Sequence, residues 1–105
     1  MNDAQLNGVQ YFVIIAEQKK KNTFLSLLGD FGARGIQTVY GHGSIPPGAI
    51  AAAFGFEAEQ GKVLITCLIK NESAKQLIEV LYREYHFDKP NTGIAFGISV
   101  EGLVF

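Results

Sequence analysis

The sequence holds one cysteine and two histidines. The lone thiol, Cys67, rules out an internal disulfide and a cysteine-based metal centre within one chain, and it fits a reducing compartment. His42 and His86 show no ligand spacing, so no metal site is read from them. Charge is scarce too: 18% of residues are charged, against roughly 25% in ordinary soluble domains. Nine Lys and Arg face ten Asp and Glu, and a net charge of -1 supplies no field to hold a polyanion, which excludes nucleic acid as a partner. Asp30, Glu57, Glu59 and Asp88 are scattered singly, and nothing pairs two carboxylates for acid-base work. No continuous apolar stretch approaches the ~20 residues needed to cross a bilayer, and neither end joins a basic region to a long apolar run. The expectation is a cytoplasmic protein without membrane insertion, catalytic residues, bound metal or required cofactor.

What the chain has in quantity is apolar side chains, 48% of 105 residues, enough for one domain over 1–105 with one core. So greasy a composition also implies that some apolar surface is hidden by self-association. Val9 to Ala16 reads as a first strand, and its lack of alternation marks it as covered on both faces. Gln18 to Asn22 reads as a polar connection. Phe24, Leu27, Leu28 and Phe31 then form one helical stripe, closed by glycine between Gly32 and Gly35. Ile36 to Tyr40 is a short strand.

Past Gly41-His42-Gly43 the run Ser44-Ile45-Pro46-Pro47-Gly48 cannot continue a sheet interior, because each proline lacks a donor. A long apolar loop is expected over 44–61. Lys62 to Lys70 reads as the second central strand, alternating over a β-prone core that contains Cys67, which behaves there as a small hydrophobe. Ser73-Ala74-Lys75-Gln76 has the form of a capping box before a helix carrying Leu77, Ile78, Leu81 and Tyr85. A breaker-rich turn, Lys89-Pro90-Asn91-Thr92-Gly93, precedes a last strand from Gly93 to about Glu101. The order β-α-β-β-α-β predicts an α+β, ferredoxin-like sandwich. Its four-stranded antiparallel sheet would carry two helices on one face and leave the other bare unless a second copy covers it.

With these motifs in this order, the chain resembles the PII-type nitrogen regulatory proteins and their PII-like relatives. From Lys62 to Val100 it can be laid against a PII chain without a gap. Thr92-Gly93-Ile94-Ala95-Phe96 matches the corner called the B-loop, Gly41-His42-Gly43 the Gly-x-Gly at the base of the T-loop, and Gly32-Ala33-Arg34-Gly35-Ile36 the helix-to-strand corner. The resemblance implies a homotrimer with its sheets facing inward. It also implies adenine nucleotides (ATP, ADP or AMP) as effectors in clefts between subunits, and a transporter or metabolic enzyme as the target of the 44–61 loop. Carried over residue by residue, the cleft would be lined by Gly41, Gly43, Arg83, Lys89, Thr92 and Gly93. Three departures stand out. Ile94 replaces a phosphate-contacting lysine, Thr92 replaces an acid, and the chain ends at Phe105 without a basic C-terminal segment, so tight triphosphate binding is not expected. The loop also has no tyrosine, which removes the uridylylation acceptor of some members; Tyr40, in the preceding strand, is a poor substitute.

The residues keep other readings open. Gly41, Gly43 and Gly93 also serve simply to turn the chain at strand ends. Lys89 and Arg83 also suit the negative end of a helix, and Arg34, near the same corner, also suits plain solvation. In the loop, Ile50, Phe54 and Phe56 would be anchors for a partner, a lid on the cleft or packing against a neighbouring subunit; Phe54 and Phe56 would alternatively start the third strand early. Two rival functions share the fold. One is a small enzyme with His42, Arg34 or Glu101 moving protons at a subunit interface, and the other is a CutA-like trimer associated with divalent metals.

Overall fold

The computed structural model of the chain describes residues 8–40, 61–89 and 92–100. Its two most β-prone runs pair with each other at the centre of the sheet. Strand β1 (Val9–Glu17) lies antiparallel to the strand Lys62–Lys70, here β3, with Phe12 opposite Cys67 and Ile14 opposite Ile65. Burial is continuous from Phe12 to Ala16 and from Lys62 to Cys67. The alternation read along Lys62 to Lys70 is therefore absent over most of that strand, because a central strand is covered on both faces.

Two outer strands complete the sheet. β2 (Arg34–Tyr40) flanks β3 and β4 (Ile94–Ser99) flanks β1, giving the order β2-β3-β1-β4 with every pair antiparallel. A bulge between Arg34 and Gln37 puts one extra residue into β2. The last strand is shorter than the sequence implied, ending at Ser99.

Helices α1 (Lys21–Asp30) and α2 (Asn71–Glu84) both lie on one face of this sheet. Phe24 and Leu28 of α1, with Ala74, Leu77 and Leu81 of α2, pack into one cluster with Phe12, Ile14, Val63 and Ile65. Each large apolar side chain taken from water in this way contributes about 1.5–3 kcal/mol. Helix α1 closes as the glycines predict: Gly32 takes the left-handed backbone (φ 78), its N–H reaches Gly29 O at 3.0 Å, and Ala33 N–H reaches Leu28 O at 3.0 Å. This pair of bonds is the Schellman motif.

The helix starts depart from expectation. Gln18–Lys20 is a 3₁₀ turn running straight into α1, so the polar connection is itself helical. Helix α2 begins at Asn71 with Lys70 as N-cap and no side-chain cap, which leaves Ser73 inside the first turn and the capping box unformed. The reason is tertiary. β3 leads into α2 without a loop, and Asn71 N–H is taken by Gly8 O at 2.7 Å, so the neighbouring strand fixes the start before Ser73 is reached. Ile78, one of the apolar residues at helical spacing, is exposed, because the buried stripe runs through Ala74, Leu77 and Leu81.

The face away from the helices is apolar. Val13, Ile15 and Leu64 form a second buried cluster joined by Val39, Ile94 and Phe96. Beyond it Leu68, Tyr11 and Ile98 are direct cross-strand neighbours in one row, 40%, 37% and 55% exposed.

Cys67 sits in the helix-facing core, and burial pushes its thiol from an ordinary 9.0 up to about 11. The folded protein should leave iodoacetamide unreacted at about pH 8 and be alkylated at the rate of unfolding; rapid labelling under native conditions would put Cys67 outside the core. Because the folded value lies above the unfolded one, the associated stability is intact below pH 9 and is lost toward pH 11. Urea midpoints of wild type and Cys67→Ala should converge over that window, by on the order of 2 kcal/mol.

Candidate functional site

Of the positions singled out in the sequence, Gly41, Gly43, Ile50, Phe54 and Phe56 lie outside the described residues, as do His42 and Glu101. Arg83, Lys89, Thr92 and Gly93 fall at the end of α2 and in the corner leading to β4. The expected loop 44–61 also lies outside, apart from Gly61.

The corner is built from the end of α2. After the C-cap Tyr85, His86 turns left-handed (φ 61), an uncommon conformation for a side chain other than glycine. The turn lets Phe87 N–H reach Leu81 O at 3.1 Å and Lys89 N–H reach His86 O at 2.9 Å. It also carries the Phe87 ring inward, edge-on to Phe24 with centroids 5.6 Å apart, while Phe24 meets Tyr85 at 5.3 Å. Such aromatic pairs add about 0.5–1.5 kcal/mol each beyond area burial. Phe87 comes to rest on Gly93, where an added Cβ would stand 2.5 Å from its Cζ. A glycine is needed here for close approach of the ring.

Between α2 and this corner lies a cleft of about 290 Å³ lined by Ile78, Leu81, Tyr82, Phe87, Gly93, Ile94 and Ala95. Its lining side chains are apolar apart from the Tyr82 hydroxyl. Ile78 and Tyr82, both exposed, stand four residues apart on one side of α2. Tyr82 carried no weight in the sequence reading; its i,i+4 relation to Ile78, beside the buried Ala74-Leu77-Leu81 stripe, was the available signal.

The cations stand outside this lining. Arg83 is exposed and pairs with Glu79 at 3.7 Å, and Lys89 is exposed in the turn after Phe87. Arg34 is not near this corner. It pairs with Leu68, in the row that ends at Ile98, whereas the corner enters β4 at Ile94, four residues away along an edge strand on the opposite side of the sheet. Among the described residues no three His, Cys, Asp or Glu side chains group to hold a metal ion, and no helix is long and apolar enough to cross a membrane.

A second constellation holds the two roots of segment 41–60. Tyr40 ends β2 and Gly61 precedes β3, with Tyr40 opposite Val63. Gln18 N–H donates to Gly61 O at 2.6 Å and Gln18 Nε2 to Lys62 O at 3.1 Å, which fixes the return root. Lys21 Nζ donates to Tyr40 Oη at 2.8 Å and lies 5.5 Å from the ring centroid, which fixes the exit root. That hydrogen bond holds the Tyr40 phenol below its ordinary value of 10.0.

No family model matches the sequence, and no curated protein matches it either. Solved structures do match. A protein of Thermus thermophilus described as PII-like and signalling superposes with a TM-score of 0.61 at 17% identity, over 86% of this chain and 83% of that one. CPII from Thiomonas intermedia, a nitrogen regulatory PII-like protein, superposes in its apo form with a TM-score of 0.61 at 19% identity, over 86% of each chain. The fold is that of the PII-like signalling proteins. CPII bound to ADP, AMP and acetate has the same PII-like fold, with a TM-score of 0.60 at 20% identity over 85% of this chain and 82% of that one.

Gly93→Ala should lower stability by about 1–3 kcal/mol, the usual cost of forcing volume into a packed site. Urea denaturation measures it, and a neutral result would show that the Phe87 ring does not rest on Gly93.

Proposed function

We propose that this chain is a PII-like regulatory protein. It assembles as a homotrimer through the apolar sheet face, binds an adenine nucleotide in the clefts between subunits, and engages a transporter or metabolic enzyme through its 44–61 loop. It is cytoplasmic and performs no chemistry of its own. The observation that carries this reading is the fold: order β2-β3-β1-β4 with both helices on one face, shared with CPII, which has been solved with ADP and AMP. The open row Leu68-Tyr11-Ile98 supports self-association, since large apolar side chains aligned across three strands favour burial against another surface. Arg83 and Lys89, exposed around the corner of Thr92 and Gly93, supply phosphate-binding charge, with Gly41 and Gly43 completing the site. Ile94 in place of a lysine favours ADP or AMP over ATP.

Ligand control requires the loop states to differ in affinity for the nucleotide. Calorimetry of the trimer against ATP, ADP and AMP should give micromolar binding at one site per subunit, with ATP weakest. Lys89→Ala, at an exposed position, should weaken it about tenfold, the worth of one charge-assisted hydrogen bond. Absence of heat across the panel would sink the nucleotide reading. Separately, Tyr11→Lys combined with Leu68→Lys should convert the trimer to monomer in sedimentation velocity; an unchanged trimer would place the interface elsewhere.

A further inference from the structure

The cleft beside Phe87 and the clamp at Lys21 share helix α1. Phe24, fully buried, lies one turn after Lys21 and meets Phe87 edge-on at 5.6 Å. The Phe87 ring also rests on Gly93 and forms a wall of the cleft. At the start of α1, Lys21 Nζ holds Tyr40 Oη at 2.8 Å. An unbroken line of contacts thus runs from the cleft wall through Phe87, Phe24 and the first turn of α1 to the strand end from which segment 41–60 departs.

We propose that this line is a relay in which the position of the Phe87 ring in the cleft sets, through Phe24 and the first turn of α1, whether Lys21 keeps hold of Tyr40. It rests on the reading of a ligand-controlled regulator and names how the 41–60 segment is regulated. Three features make the relay mechanical. The Phe87 ring touches both Gly93 and Phe24, so a push on it from the cleft side bears on Phe24. Helix α1 is ten residues long and buried through Phe24 and Leu28, and Gln18, in the 3₁₀ turn that leads into it, is tied to Gly61 and Lys62, so a push on Phe24 tilts the first turn about that anchor. The two roots are also held unequally. Beyond the β2–β3 ladder that both roots share, Gln18 ties Gly61 and Lys62 with a backbone bond and a side-chain bond, whereas the Tyr40 hydroxyl is held by Lys21 through a hydrogen bond that weakens steeply once the donor moves beyond about 3.5 Å. A tilt of α1 about Gln18 therefore releases the Tyr40 hydroxyl from Lys21 while Gly61 stays in place.

Contact alone does not establish coupling, so the test is a double-mutant cycle on ligand-free protein. Tyrosine labelled with ¹³C at Cζ reports the Tyr40 phenol, assigned with Tyr40→Phe, and amide exchange reports Val39 and Tyr40 against Gly61 to Val63. Lys21→Met should raise the Tyr40 titration midpoint. Phe87→Leu should raise it too, and should speed exchange at Val39 and Tyr40 by roughly threefold or more without moving Gly61 to Val63. Combined with Lys21→Met, Phe87→Leu should add nothing. Phe87→Met, closer in volume, serves if the leucine variant does not fold. The relay is overturned by an unmoved Tyr40 in a folded Phe87 variant, by equal acceleration at both roots, or by additive effects. Because no nucleotide is present, failure here leaves the calorimetric reading standing, and silence in calorimetry leaves the relay standing.

Discussion

Everything in this protein hangs on two strands that are buried on both sides. β1 and β3 send Phe12, Ile14, Val63 and Ile65 toward the helices, and Val13, Ile15 and Leu64 toward the opposite face. A slip of one residue between them would exchange the two sets and destroy both clusters, so the register is fixed from both directions at once. The outer strands and the helices take their places from that pair. Edge strand β2 can then accommodate a bulge and β4 can be short, because neither has to hold the centre.

What was legible in the sequence follows from this. A continuous apolar run at Val9 to Ala16 and a β-prone core at Lys62 to Lys70 announced central strands, although the alternation read along the second is absent, and Gly32 announced a helix end. The start of α2 was misread. Ser73 offers a cap, yet Gly8, far away in the chain, takes the Asn71 amide first. The Lys21–Tyr40 bond joins residues 19 apart with no spacing motif to mark it. Gly93 was legible as a corner, but its need for close approach to Phe87 depends on a ring that only the folded chain brings there. Arg34 was expected near the same corner; within one chain the strand order places it at the other side of the sheet, because β2 and β4 are opposite edges.

The electrostatics are as sparse as the composition. The described ion pairs, Glu17 with Lys19 and Glu79 with Arg83, are solvent-exposed and of the kind worth about 0–1 kcal/mol. Stability is carried by packing, and the cleft inherits that character. Its walls offer shape and apolar contact, while Lys89 and Arg83 stand in water beyond them.

The strand order also governs how the chain comes to fold. β1 is made first, yet both its neighbours come late, with Val9 opposite Lys70 and Gln10 opposite Ser99. During synthesis this strand must wait, unpaired, until Lys62–Lys70 has emerged. Pairings this distant in sequence make folding slow compared with helical bundles of similar size. They also leave Phe12 to Ala16 open to mispairing with other nascent chains, so the yield of soluble protein is set by how fast β3 and β4 arrive as much as by how stable the finished sheet is.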